Sequence, residues 1–166
     1  TTLSNGNLEI SSTNHGNNTA TFFLTSGKWY WEGKGAGYVG AICSKAGQNA
    51  TASISAPGSG AIGWWQDGPV YWDGNYNNSG TVAYGTSDII GTALDMDNGI
   101  VYFYKNGSLT YTITFGDGTI PDLSDGVFPC YNNGNPSGTK TATHNFGQMP
   151  FKYPMPSGYA ALNTTA

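Results

Sequence analysis

The chain has 166 residues, a length that fits one domain. Only 10% of them are charged: 10 carboxylates stand against 6 lysines, and there is no arginine. An acidic chain without the bidentate donor of phosphate and base contacts is a poor fit to nucleic acid or to an anionic membrane surface. Its 25 glycines and 14% aromatics describe a rigid, turn-rich β protein and exclude a disordered chain, which would lack the aromatics. No apolar run approaches the ~18 residues of a membrane span.

The start, Thr1-Thr2-Leu3-Ser4, has neither Met nor the shape of a signal peptide, so the chain reads as a processed product or an excerpt. No segment keeps a helical period. Short strand-like runs alternate with Gly, Asn, Pro and Asp instead, the pattern of a sandwich or barrel. Residues 28–32 alternate: Trp29 and Trp31 face inward, Lys28, Tyr30 and Glu32 outward. Residues 88–95 form a further strand. Asn98-Gly99 then reads as a turn with positive φ at both central residues. Ile100-Val101-Tyr102-Phe103-Tyr104-Lys105 is a β-branched and aromatic strand, closed by a second such turn at Asn106-Gly107. Residues 108–115 put Leu109, Tyr111, Ile113 and Phe115 on one face and Ser108, Thr110, Thr112 and Thr114 on the other. Local chemistry alone thus predicts a three-stranded antiparallel meander.

Residues 44–60, 73–80 and 132–140 read as long loops, and long loops in a compact domain are often functional. Cys43 and Cys130 match no metal or redox spacing, and free buried thiols are expected in preference to a disulfide. The end, Leu162-Asn163-Thr164-Thr165-Ala166, reads as a linker.

Asp88-Ile89-Ile90-Gly91, Ala93-Leu94-Asp95-Met96-Asp97-Asn98-Gly99 and Phe103-Tyr104-Lys105-Asn106-Gly107 resemble, almost position by position, the hallmark of the SPRY family. Gly27-Lys28-Trp29-Tyr30-Trp31-Glu32 resembles its early strand, Val39-Gly40-Ala41-Ile42-Cys43 the next, and Phe128-Pro129 its late aromatic-proline pair. The match runs in order from about residue 20 to about residue 160. A narrower resemblance lies in Asn145-Phe146-Gly147-Gln148-Met149-Pro150-Phe151 with Pro156-Ser157-Gly158-Tyr159 and Leu162. That pattern is similar to SPRY domains embedded in bacteriophage proteins and related viral sequences, which tend to carry Arg where this chain has Met149. The resemblance implies an all-β fold of two packed antiparallel sheets, a concanavalin-like jelly roll, that binds partners through end loops. Fold alone does not fix function.

Chemistry is sparse. Asp95-Met96-Asp97-Asn98-Gly99 lacks the further ligands of a calcium loop, and turn chemistry explains it without metal. The acids Glu9, Glu32, Asp67, Asp73, Asp88, Asp117, Asp122 and Asp125 are scattered, with no motif pairing two across a cleft as a glycosidase requires. His15 and His144 have no triad partner nearby and read as surface or edge residues. No cofactor or metal is expected. The densest cluster is aromatic, Trp64-Trp65 through Tyr71-Trp72 to Tyr76. Outward rings there, with nearby amides, suit protein or sugar contact, whereas inward ones would be core. Sequons stand at Asn17, Asn49, Asn77, Asn106 and Asn163 and matter only in a glycosylating secretory path.

The sequence therefore points to one SPRY domain over residues 1–166, non-catalytic, on a virion surface or otherwise extracellular and part of a larger polypeptide or assembly. A phage tail appendage or capsid decoration is the leading context. The partner is a protein or a cell-surface glycan, with a lectin-like module as the alternative and a glycoside hydrolase as a third. Trp29, Trp31, Leu94, Phe103, Ile113 and Phe146 are expected in the core. Trp65, Trp72, Tyr76, Asn77, Tyr131, Asn132 and Asn133 are the candidate contact residues, the four aromatics sharing one surface.

Overall fold

The computed structural model describes residues 1–6, 8–49, 51–77, 80–134 and 137–163. In chain order the strands are β1 (Thr2–Ser4), β2 (Glu9–Ser12), β3 (Asn18–Thr19), β4 (Lys28–Gly35), β5 (Gly40–Ser44), β6 (Ala61–Trp64) and β7 (Val70–Trp72). They continue as β8 (Asn75–Asn77), β9 (Ile90–Asp95), β10 (Ile100–Lys105), β11 (Ser108–Thr114), β12 (Val127–Tyr131), β13 (Lys140–Asn145) and β14 (Ala160–Ala161). One sheet runs β1-β2-β13-β4-β9-β10-β11, and the other runs β3-β12-β5-β6-β7-β8. Pairing is antiparallel except for β14, which lies parallel to β4 (Ala160↔Trp29). This is the two-sheet β-sandwich that the sequence implies. A single helical turn, Gly47–Asn49, sits in the loop after β5. No helix among the described residues is long and apolar enough to cross a membrane.

The meander forms with Asp95 opposite Ile100 and Lys105 opposite Ser108. Its two turns differ, however. Asn106 and Gly107 both have positive φ (50° and 80°), as a two-residue hairpin demands. At the other turn only Gly99 does. There the connection is longer, and Asp95 holds it: its carboxylate accepts from Asn98 N (3.1 Å) and Asn98 Nδ2 (2.8 Å). A bulge between Phe103 and Tyr104 pairs Tyr104 with Leu109 and leaves Thr110 extra. Alternation therefore breaks at that point. Tyr111, Ile113 and Phe115 stay buried, but Leu109 turns out to solvent, 54% exposed.

The interlayer core is built around Trp64, whose ring contacts Tyr84, Tyr111 and Phe103 at centroid distances of 5.1, 5.2 and 6.3 Å. Trp31, Leu94, Phe103 and Ile113 are buried as expected. Trp29 and Phe146 are only half-buried at its margin. His144 departs from expectation. It lies on β13, which is an interior strand because β1 and β2 extend the sheet beyond it, and its ring is buried against Tyr131 and Phe146.

Tyr30 and Glu32 do point away from the core, yet both are buried. The segment after β13 crosses the outside of the sheet and covers them. Phe151 packs edge-on to Tyr30 at 5.0 Å. The Glu32 carboxylate accepts from Lys152 N (2.7 Å), Tyr153 N (3.0 Å) and Tyr30 Oη (3.1 Å). Glu32 is thus the clamp that holds the C-terminal segment on β4. Glu32→Gln removes the charge from three bonds and should cost on the order of 1.5–3 kcal/mol. Urea unfolding measures that loss, and hydrogen exchange at Lys152 and Tyr153 should accelerate with it.

Candidate functional site

The outer face of the β3–β8 sheet divides into two halves. Over β12, β5 and β6 the loop 44–60 folds back as a cover. Its Ile54 is completely buried in a small cluster with Tyr38, Ala41, Cys43, Ala61 and Cys130. Both cysteines are free and buried. Burial, and then the neighbouring Cys43 thiol, push Cys130 well above the ordinary thiol range.

Side-chain amides staple this cover down. Asn17 Nδ2 donates to Gly47 O (2.8 Å). Asn132 Nδ2 donates to Asn17 Oδ1 (2.8 Å), Ala52 O (3.2 Å) and His15 O, while its Oδ1 accepts from Gly134 N (2.8 Å). Asn133 Nδ2 donates to Ser12 O (2.6 Å). Asp73 accepts from Gly60 N (2.8 Å) and lies 3.1 Å from Ser59 Oγ, fixing the loop's return. Irregular backbone that is buried must have its polar groups satisfied, and a chain with so few charges does this with amides.

Asn132 and Asn133 are therefore internal staples, both fully buried, and not contact residues. Tyr131 is also fully buried, on the inner face of β12, and its hydroxyl donates to Ala36 O (3.0 Å). Trp72 is buried too. Its partner across β6 is Ile62, so it lies on the inner face with Trp64. The expected surface of four aromatics thus loses Trp72 and Tyr131 to the core.

Over β7 and β8 the outer face is open, and a different row of rings forms. Trp65 meets Tyr38 at a tilt (4.8 Å, 46°), Tyr38 meets Tyr71 edge-on (6.0 Å, 84°), and Tyr71 meets Tyr76 (5.5 Å). Exposure rises from Tyr38 toward both ends of the row. Tyr38 is buried beneath the loop, Trp65 and Tyr71 are half-buried, and Tyr76 is 58% exposed, flanked by Asn75 and Asn77. The β6–β7 hairpin sets the Trp65 end: Trp65 N donates to Pro69 O (2.8 Å) and Gly68 N to Trp65 O (2.9 Å). Trp65 Nε1 donates to Asp67 (3.0 Å), and Lys140 Nζ sits 4.0 Å from the indole centroid in cation–π geometry. Burial lowers the Lys140 pKa, against the pull of Asp67. Burial pushes the Tyr38 phenol up to about 12, against the hydroxyls of Ser53 and Ser55.

Trp65 and Tyr76 are thus joined through Tyr38 and Tyr71, whereas Asn77, which pairs with Val70, lies on the other face of β8 from Tyr76. Tyr38, Tyr71 and Lys140 are the members that sequence reasoning missed. The two acids nearest the row both have structural partners, Asp67 on the indole and Asp73 on the loop. Of the sequons, Asn17 and Asn163 have their amides donating to backbone carbonyls, and Asn106 donates to Asp88.

Two antiparallel sheets, a loop folded over one outer face and an aromatic row beside it define the β-sandwich. The SPRY domain family's profile matches residues 27–149, and the chain belongs to that family. SPRY domains are typically non-catalytic binding modules that recognise proteins. The fold is similar to that of the SPRY domain of human HERC1 (TM-score 0.65, 16% identity, 90% of this chain against 94% of that one). It is similar also to the TRIM65 PSpry domain (TM-score 0.59, 14% identity, 87% against 84%). Stonustoxin matches as well (TM-score 0.63, 19% identity), with 87% of this chain aligned to 25% of that one. At such identities the likeness is one of fold. No curated protein matches the chain.

Proposed function

We propose that this SPRY domain recognises a protein partner through the aromatic row on β6–β8, with Tyr76 as the leading contact and Trp65 and Tyr71 behind it. The carrying observation is the ring-to-ring chain that runs from buried Tyr38 to exposed Tyr76. A ring whose base is fixed by packing loses little entropy on binding, and Tyr and Trp give large contact area without charge. The low charge of the chain suits such a surface. By the resemblance of its C-terminal segment to phage-embedded SPRY domains, the module belongs to a larger viral or extracellular assembly, such as a tail appendage or capsid decoration.

A glycan-binding reading draws on one feature, the exposed ring of Tyr76, an apolar surface of the kind that stacks on a sugar face. Arrays separate the two readings. The labelled domain should bind protein targets, and Tyr76→Ala should weaken that binding about 30-fold, the scale of a hot-spot loss. Because Tyr76 is so exposed, the same change should leave stability within about 0.5 kcal/mol. Binding confined to glycan spots would overturn the protein reading.

A further inference from the structure

At the edge of the sandwich opposite to β7 and β8, the sheets part. The β1–β2 hairpin and β3 stand on either side of a cavity of about 690 Å³ that is open to solvent. That volume is within the range of small-molecule sites, ~300–1,000 Å³. Its walls are mainly apolar, with Leu3, Leu8, Ile10, Phe22, Pro129 and Phe146, and the amides of Asn18, Gln148 and Asn163 that also line it are bonded to backbone groups. No side chain that lines it among the described residues is charged. Leu3 is 50% exposed at the rim, and Ile10, Phe22 and Phe146 are only half-buried, so core-type side chains stand in contact with the opening.

One polar ring stands at the floor. His144 is 6% exposed and stacks on Phe146, with ring centroids 5.9 Å apart and planes 10° apart. Its Nε2 lies 3.2 Å from Val39 O. A carbonyl only accepts, so Nε2 carries the proton and Nδ1 is left as an acceptor. The Cδ2–Nε2 edge faces Gly33 and Val39, for a Cβ built on Gly33 would come within 3.0 Å of Cδ2 and 3.3 Å of Nε2. The opposite edge, with Nδ1, therefore turns from β4 toward the β2 side, where Leu8 and Ile10 line the cavity. Nδ1 has no hydrogen-bond partner among the described residues. Burial also lowers the His144 pKa to about 4, so the ring is neutral near pH 7.

We propose that this cavity is a binding site for an uncharged, mainly apolar small molecule carrying one hydrogen-bond donor, which His144 Nδ1 accepts. The apolar walls supply the affinity, and the lining has no charged side chain to compensate a buried ion. The His144 acceptor sets the orientation. The site is independent of the aromatic row and does not rest on the reading of that surface.

Three probes of one shape test it: 1-naphthol, naphthalene and 1-naphthoate, titrated into the ¹⁵N-labelled domain with amide shifts as the readout. 1-Naphthol should bind saturably, with shifts at Leu8, Ile10, Ala20 and Phe146. Naphthalene should bind about 2- to 10-fold more weakly, the worth of one hydrogen bond. 1-Naphthoate should not bind. His144→Phe should abolish the preference for naphthol over naphthalene. Ala20→Trp, at a lining position that leaves the His144–Val39 bond intact, should block both neutral probes. The proposal is overturned if neither neutral probe saturates, if naphthoate binds as well as naphthol, or if the shifts fall on Trp65 to Tyr76 instead.

Discussion

Phe103→Ala should lower the unfolding free energy by about 3–5 kcal/mol. Phe103 is fully buried on the inner face of β10, where it faces Trp64 across the interlayer and lies within reach of Gly40 on β5. A Cβ on Gly40 would already come within 3.1 Å of the Phe103 ring, so the two sheets meet there without slack. Truncation leaves a void that the paired strands β9, β10 and β11 cannot close without breaking register. The loss is the transfer of the ring plus the cavity it leaves. Chemical denaturation measures it directly, and a loss under about 1 kcal/mol would mean that the ring does not bridge the two sheets.

Acid should weaken the domain through His144. Burial lowers its pKa from 6.5 to about 4, with the bond to Val39 O acting in the other direction. Above pH 6.5 the ring is neutral in both folded and unfolded chains, and it brings no penalty. As pH falls below 6.5 the unfolded chain binds a proton that the folded one refuses, so stability declines until the folded ring titrates near pH 4. The slope is about 1.4 kcal/mol per pH unit, and the whole window is worth about 3 kcal/mol. Asp88 and Asp95 act at lower pH. Both are held below the usual carboxylate value, Asp88 chiefly by Gly85 N–H, and Asp95 by Lys28 and Asn98, which outweigh its burial. Their stabilisation is present above that value and is lost as pH falls through their depressed folded pKa. Denaturation at pH 7, 5.5 and 4 should show the decline, and His144→Gln should flatten it.

Much of the fold was legible because its information is local. The meander is written in two Asn-Gly pairs and a β-branched strand, and the family's motifs fix the order of the rest. What was missed depends on information that is not local. Leu109 was placed inward by alternation, and a single bulged residue, Thr110, reversed it. Tyr30 and Glu32 point outward as read, but no periodicity reveals that residues 151–153 come back to cover them. His144 looked like an edge residue because the strands beyond it, β1 and β2, come from the far end of the chain.

The candidate site shows the same division. Parity correctly split Trp64 from Trp65 and Tyr71 from Trp72, but it could not say which of the second pair faces out. The hairpin decides that. Trp64 pairs with Val70 and Ile62 with Trp72, so Trp72 joins Trp64 inside and Tyr71 joins the outer row. Only the five-residue connection 65–69 gives that answer; a turn of Gln66-Asp67-Gly68-Pro69 alone would set Tyr71 opposite Trp64 and invert it. Tyr38 has no such signal, since its place in the row depends on a loop folding over the sheet. Asn132 and Asn133 looked like contact residues because exposed amides bind partners. The loop carbonyls they satisfy, at Ser12, His15 and Ala52, lie far away in sequence.

Recognition through the aromatic row is tested most directly by site-specific photo-crosslinking. A benzoylphenylalanine at position 76 would be compared with one at position 102, where Tyr102 stands on the outer face of the other sheet. The account predicts one protein species crosslinked from position 76 and none from position 102. Excess unlabelled domain should suppress that crosslink, and excess Tyr76→Ala domain should not. Capture of the same protein from position 102 and not from position 76 would contradict it, as would suppression by both competitors alike.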